Sequence, residues 1–252
     1  MFIENISPII FRIGPLAVRW YGLMMGISFA LGSYFFIKNG IKKGYSEDSL
    51  FIIIVAAIIT GIAGARAIYV LTNLSDFISP VEMLRIDRGG LSFHGGLLGG
   101  LLSAWFLSRI HKVNLGDMLD LAVPGISVGY MLVRIANIFN QEILGRTTLF
   151  FPFAQHPTQI YGSLIGLISL LIHNILARNR ENKPGALFWL FVFYYSLLRG
   201  LIEETFRANP LFLLGYINDF LGVGFFTLTH LITPPLALMA WWIYKRIQKR
   251  QI

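Results

Sequence analysis

Long apolar runs broken by short polar punctuation dominate the chain, and the runs have membrane-crossing length. A helix that crosses a bilayer needs about 20 mainly apolar residues. Seven segments fit: 16–37, 50–71, 91–109, 116–139, 159–177, 185–202 and 224–244. The third is short and glycine-rich. The sixth is bounded by Pro184-Gly185 before it and by Glu203-Glu204 after it. Residues 1–15, with Pro8 and Pro15, read as an interfacial lead-in. They lack the basic-then-apolar order of a signal peptide, so insertion by the first membrane helix is expected. The predicted fold class is therefore all-α: one integral membrane domain over residues 1–252, a polytopic bundle of about seven transmembrane helices, with segments 72–90, 140–158 and 203–223 looping out on one side.

Composition agrees with this. The chain is 55% hydrophobic and 13% charged, with mean hydropathy +0.65, whereas soluble domains carry about 25% charged residues. Cysteine is absent, which excludes a protein thiolate nucleophile, a disulfide and a thiolate metal site. The net charge of +8 is distributed by loop. Lys38, Lys42, Lys43, Arg109, Lys112, Arg178, Arg180, Lys183, Lys245, Arg246, Lys249 and Arg250 fall on one side, and Arg12, Arg19, Arg85, Arg88, Arg146 and Arg207 on the other. The richer side is cytoplasmic by the positive-inside rule. The N-terminus is then outside and the C-terminus inside, which requires an odd number of spans. The basic tail suits anionic inner-leaflet lipid and no nucleic acid is expected as a partner.

Three arginines remain, and all lie within spans: Arg66, Arg134 and Arg199. An arginine with apolar neighbours at membrane depth costs roughly 2.5 kcal/mol or more. At about 1.5 Å per residue, they stand roughly 24, 27 and 21 Å from the cytoplasmic starts of their spans. All three are thus in the outer half. Tyr21 and His94, early in inward-running spans, are expected at the same depth. The inner halves hold little that ionises beyond Asp117, Asp120 and His173, near span ends. The pattern describes a one-sided pocket and not a pore.

The stretch Val133–Arg146 concentrates this polarity, with Arg134, Asn137, Asn140, Glu142 and Arg146. Arg134 and Asn137 are i, i+3 and share a helix face, and Tyr195, Arg199 and Glu203 repeat at i, i+4, i+8. One reading is a structural ion-pair network, with Glu203 or Glu142 neutralising an arginine. The other is anion binding: two or three arginines at one depth exceed what two carboxylates need, and arginine's fork matches a pair of phosphate oxygens. His94 stands against four glycines in Leu91-Ser-Phe-His-Gly-Gly-Leu-Leu-Gly-Gly. It is either one satisfied histidine in a packing seam or a general base. In His156-Pro-Thr-Gln-Ile-Tyr161, Pro157 and Thr158 are helix-opening residues, so Thr158 is expected to cap. His111, His173 and His230 have no ligand-like spacing and no metal is assigned. No nucleophile-elbow, phosphate-loop or zinc-protease motif occurs.

These residues carry a resemblance. The chain resembles the bacterial prolipoprotein diacylglyceryl transferases from Tyr21 to Arg207. The matching pieces are Arg19-Trp-Tyr-Gly22, Gly90-Leu-Ser-Phe-His-Gly-Gly96, Arg134 through Gly145, His156-Pro-Thr-Gln-Ile-Tyr161, and Tyr195 through Glu203. The family pattern Gly-Arg-x-Gly-Asn-Phe-x-Asn-x-Glu-x-x-Gly keeps its polar positions here. It has Val133, Ala136 and Ile138 in place of two glycines and a phenylalanine, and Gly162 stands where a glutamate is usual. The resemblance implies an inner-membrane enzyme without a cofactor. It would move a diacylglyceryl group from phosphatidylglycerol to the lipobox cysteine of preprolipoprotein signal peptides, among membrane lipids, with its active site towards the outer leaflet. It implies catalytic roles for His94, Arg134, Arg199, Glu142 and Glu203. Substrate contacts would come from Arg134, Asn137, Tyr21, Asn140, Gly145, Tyr195 and His156. The competing class is a transporter or binding protein for an anionic lipid or solute, which would place its polar site near the midplane within internal repeats. A scaffold with structural ion pairs only is the third.

Overall fold

The computed structural model describes residues 7–14, 16–85, 89–150, 154–179, 181–208 and 212–249. Pro15, Arg88, Arg180 and Arg250, used above, lie outside them. In chain order the elements are β1 (Ile9–Ile13), β2 (Leu16–Arg19), α1 (Trp20–Lys42), α2 (Glu47–Thr72), α3 (Pro80–Leu84), α4 (Phe93–Ile110), α5 (Leu115–Asn140), α6 (Thr158–Leu176), α7 (Ala186–Leu197), a π-helical segment Leu198–Glu203, α8 (Glu204–Phe206), β3 (Phe212–Asn218), β4 (Val223–Thr227) and α9 (Leu228–Lys249).

Among the described residues five helices are long and apolar enough to cross a membrane: α1, α2, α5, α6 and the continuous run Ala186–Phe206. α4 and α9 are helices where spans were expected but stand outside that set. Glycines, His94 and Arg109 dilute the hydropathy of α4, and Pro234, Pro235 and the basic end dilute that of α9.

Three expectations are corrected. The fold is mostly helical but not all-α, because two antiparallel hairpins are present. β1 pairs with β2 across Gly14, whose φ of 58° opens the turn, so Leu16–Arg19 is a strand and not the first turn of a span. β3 pairs with β4 across Gly222, φ 65°. The aromatic and β-branched run Phe225-Phe226-Thr227 therefore belongs to a strand, and the last helix starts at Leu228. Thirdly, the sixth span does not stop before Glu203-Glu204. It runs through them to Phe206, because both carboxylates are buried against arginines and need no water.

The chain divides into two compact units, Phe36–Met118 and Met1–Phe35 with Leu119–Ile252. In the first, α2 and α4 meet along glycines. A Cβ on Gly64 would lie 2.5 Å from the Gly95 carbonyl oxygen, and one on Gly99 would lie 2.3 Å from that of Thr60. Backbones this close permit the small-residue packing that membrane helices use. Thr60 Oγ1 donates across the seam to Gly99 O at 3.1 Å. At one end Arg66 donates from Nε to Met83 O (2.7 Å), from one terminal nitrogen to Gly89 O (3.0 Å) and Gly90 O (2.9 Å), and from the other to Glu82 O (2.7 Å). At the far end Lys43 pairs with Asp117, and the Tyr45 hydroxyl donates to Asp117 at 2.7 Å.

In the second unit α5 is the axis. Gly125 meets Gly32 of α1 backbone to backbone, and the ring of Trp20 stacks on Phe139 at 4.4 Å. α6 lies against α5 where Gly166 faces Met131 and Gly162 faces the Arg134 side chain. Buried Asp120 accepts from the backbone N–H groups of Gly185 (2.9 Å) and Phe188 (2.8 Å). It thereby satisfies two donors that the start of α7 leaves open.

Candidate active site

Tyr130, Arg134 and Asn137 fall at i, i+4 and i+7 on one face of α5, which turns them towards the end of α7. Arg134 is 6% exposed and Glu203 is completely buried. One terminal nitrogen of Arg134 stands 2.7 Å from Glu203 Oε1 and donates to the Tyr130 hydroxyl at 2.7 Å. That hydroxyl in turn donates to Glu203 Oε2 at 2.5 Å. The Arg134 guanidinium also lies over the Tyr130 ring, 4.6 Å from its centre. Tyr195 meets Tyr130 edge to face at 5.1 Å and stacks on Phe191. Arg199 donates to Glu204 Oε2 at 2.9 Å and lies 3.6 Å from Glu203 Oε1. Glu203 stands one turn from Arg199 in sequence, the spacing that a structural ion pair would use. Its nearer arginine is Arg134, and Glu204, which the sequence marked only as a boundary, is the nearer carboxylate of Arg199.

Two further arginines join this cluster. Arg146 N–H donates to Phe206 O at 2.8 Å, and Gly145 forms a bridge with Arg207. Burial, and then Arg199 beside it, pull the Arg207 guanidinium below its ordinary value. Burial also lowers that of Arg146, against the opposite pull of Glu204 and Asp219. Four guanidiniums therefore meet two buried carboxylates, with Asp219 acting on Arg146 from the edge. Positive charge remains in surplus even with that third acid counted. Among the described residues, Arg134 Nε, Asn137 Oδ1 and Arg207 Nε are buried without a hydrogen-bond partner. Such orphaned atoms are uncommon in folded proteins and call for an explanation. Chemically, the arrangement can hold an oxyanion and stabilise charge that develops on it.

Glu142 sits just beyond α5 between Gln141 (φ 54°) and Ile143 (φ 56°). A β-branched residue at positive φ is a genuine outlier. The strained loop is pinned by Glu142 N–H to Asn137 O (3.0 Å), Gln159 Nε2 to Glu142 O (2.8 Å) and Thr158 Oγ1 to Ile143 O (2.5 Å). Thr158 therefore secures this loop and does not cap α6, whose cap residue is Pro157. Asn140 donates to the Glu142 carboxylate at 3.4 Å, and Tyr21, at the start of α1, lies within electrostatic range of it. Backbone strain held by surrounding bonds is a mark of functional loops.

The His156 ring has both nitrogens engaged, Nε2 with Leu221 O (2.6 Å) and Nδ1 with the Tyr161 hydroxyl (3.1 Å). Since a carbonyl only accepts, Nε2 carries the proton there. Gly145 approaches the His156 carbonyl so closely that a Cβ would lie 2.0 Å from its oxygen. Both residues fix the path of the chain at 143–148 and 154–158. His94 belongs to the α2–α4 unit, exposed on the first turn of α4. There the neighbouring Gly95 faces Gly64 and Ile68, and Ser92 Oγ caps the helix from 3.4 Å.

Tyr130, Glu204, Arg146 and Arg207 escaped the sequence reading as site residues. Tyr130 had a signal, being four residues before Arg134 on the same face. Arg146 was visible as the last polar residue of the Val133–Arg146 stretch and as a loop charge, and Arg207 only as a loop charge.

The family model for prolipoprotein diacylglyceryl transferase matches residues 8–245. The chain belongs to the prolipoprotein diacylglyceryl transferase family. It is 45% identical to the phosphatidylglycerol–prolipoprotein diacylglyceryl transferase of Thermoanaerobacter sp. (strain X514), over 98% of this chain and 96% of that one. The enzyme of the same name from Thermus thermophilus is 36% identical, with 94% and 97% covered. That of Geobacter sulfurreducens is 32% identical, with 100% and 99% covered. The chain is thus a transferase of lipoprotein biosynthesis, and the arginine cluster is a feature of a diacylglyceryl transferase.

Proposed function

We propose that this chain transfers the diacylglyceryl group of phosphatidylglycerol to the lipobox cysteine of preprolipoproteins. The substrate sulfur forms a bond to the terminal glycerol carbon of the diacylglyceryl group. The bond from that carbon to the phosphate oxygen breaks, and the headgroup leaves as glycerol 1-phosphate with the electron pair of that bond. The thiol proton goes to a protein base. The observation that carries the reading is the surplus of clustered arginine over carboxylate among the described residues, with Arg134 Nε buried and without a hydrogen-bond partner among them, which matches a leaving phosphate. The names of the relatives support the same two substrates.

In this reading Arg134 and Arg199 hold the phosphate, and Glu203 keeps Arg134 and Tyr130 in register. His94 takes the thiol proton, with Glu142 as the other candidate base. Asn137, Asn140, Tyr21, Gly145, Tyr195 and His156 shape the substrate pocket, the last two with Gly145 by fixing neighbouring groups. The chain works as one membrane domain of seven spans in the bacterial cytoplasmic membrane, with α4 and α9 as the two shorter or diluted spans. Its arginine cluster faces the outer leaflet, where the lipid headgroup lies.

Purified protein incubated with phosphatidylglycerol vesicles and a lipobox peptide tests the chemistry. The peptide should gain the mass of one diacylglyceryl group, with an equal amount of glycerol phosphate released. Lipid binding with unmodified peptide would instead make it an anionic-lipid binding protein. For orientation, a reporter fused after Ile252 should read cytoplasm and one inserted near Thr147 should read outside. Both on one side would overturn the seven-span arrangement.

A further inference from the structure

The segment Leu198–Glu203 is a π-helix. A π turn closes i→i+5 where an α turn closes i→i+4, and here the backbone N–H of Glu204 donates to Arg199 O. In an α-helix residue 203 would stand over Arg199, and residue 204 would lie about 100° further round. The added residue in the turn changes this. Glu204 is completely buried and takes the Arg199 guanidinium at 2.9 Å, while Glu203, also completely buried, takes Arg134 at 2.7 Å and Tyr130 at 2.5 Å. The wide turn has room because of Gly200. A Cβ there would lie 1.9 Å from Thr233 Oγ1 of α9, so only glycine lets α9 close over the segment.

We propose that the π turn divides two adjacent carboxylates between two arginines, and that Glu204 is the positioning residue for Arg199. A single carboxylate at 203 serving both guanidiniums would draw them onto one point and neutralise only half the pair. Divided, each arginine has its own anchor. Arg199 keeps 19% of its side chain exposed while Glu204 keeps none, so the guanidinium is fixed and still reachable. The functional half of this inference rests on the phosphate role proposed above. The pairing half does not.

The test is a pair of double-mutant cycles, read by thioether formation from phosphatidylglycerol and a lipobox peptide, and separately by thermal unfolding without substrate. Misplacing a reacting group by about 1 Å costs up to about 100-fold, so Glu204→Gln should lose roughly 10- to 100-fold in kcat. Its peptide KM should stay within about twofold, because the peptide is not the group Arg199 holds. In an Arg199→Lys background Glu204→Gln should add little, and in an Arg134→Lys background it should multiply. Glu203→Gln should show the reverse order, with only weak coupling to Arg199. Glu204→Asp, which keeps the charge, should recover part of the lost kcat. The unfolding cycles should show the same pairing. Independent effects of Glu204→Gln and Arg199→Lys in both readouts would overturn the pairing. Coupling in unfolding with normal kcat per folded molecule would overturn the positioning role. If wild-type protein forms no thioether, the transfer reading fails while the unfolding cycles still decide the pairing.

Discussion

Arg66 and the pair Arg134–Arg199 are the same residue type on the same kind of apolar helix, and they end in opposite situations. Arg66, 9% exposed, gives its donors to four main-chain carbonyls of residues 82–90. Its acceptors are neutral and belong to its own unit, so it fastens a loop to α2. Arg134 is as deeply buried but faces carboxylate and phenol, and its Nε has no partner among the described residues. Arg199 shares Glu203 with that arginine, takes Glu204 as its nearer acid, and stands beside Arg207. An intramembrane arginine therefore does not announce a site. The acceptors around it differ: Arg66 is saturated by carbonyls, and the proposed anion role rests on the crowding of like charge around Arg134 and Arg199 with a donor left over among the described residues.

The comparison breaks most sharply under lysine substitution, which keeps the charge and loses the fork. Removing one donor to developing charge costs about 10²–10³-fold. Arg134→Lys and Arg199→Lys should each fall by that much in thioether formation at saturating peptide, with the protein still inserted. Arg66→Lys should keep near-normal turnover per folded molecule. Full activity in either site lysine would remove the bidentate role, and a loss of the same size in Arg66→Lys would erase the distinction between the two regions.

A smaller effect separates the base candidates. A general base contributes about 10²–10⁴-fold, and loss at the lower end is expected for His94→Gln, with lipid binding retained. Near-normal turnover in His94→Gln, together with a loss in Glu142→Gln, would move the proton to the strained loop after α5. The smallest effect is on stability. Arg66→Lys forfeits charge-assisted hydrogen bonds to main-chain carbonyls, each worth about 1.5–3 kcal/mol, so its melting temperature should drop although its kcat does not. An unchanged melting temperature would show that Glu82, Met83, Gly89 and Gly90 are held by other means.

Much of this contrast was legible in the chain, and the rest has specific physical reasons for being hidden. The helices around Arg66, Arg134 and Arg199 follow from apolar length, and Arg134 with Asn137 follows from spacing. The π segment is invisible to a reading at 3.6 residues per turn. Such a reading pairs Arg199 with Glu203 and takes Glu203-Glu204 for a helix end, because two acids together normally seek water. They are buried here because Arg134, distant in sequence, and Arg199, in the same widened turn, neutralise them. The two hairpins were lost for a related reason: Leu16-Ala-Val-Arg19 and Phe225-Phe226-Thr227 are apolar enough to merge with the helices that follow. Arg146 and Arg207 look like loop charges until the Gly145–Arg207 bridge folds their loops onto α8.

The central claim is that the Arg134–Arg199 cluster, and not intramembrane arginine in general, receives the phosphate. The most direct measurement is thermal unfolding of the purified protein titrated with glycerol 1-phosphate, compared across wild type, Arg66→Lys, Arg134→Lys and Arg199→Lys. A ligand that binds only the folded state raises the melting temperature with concentration. The account predicts a saturable rise for wild type and Arg66→Lys, and a rise that is absent or needs far more ligand for Arg134→Lys and Arg199→Lys. Equal rises in all four proteins, or loss of the rise in Arg66→Lys alone, would contradict it.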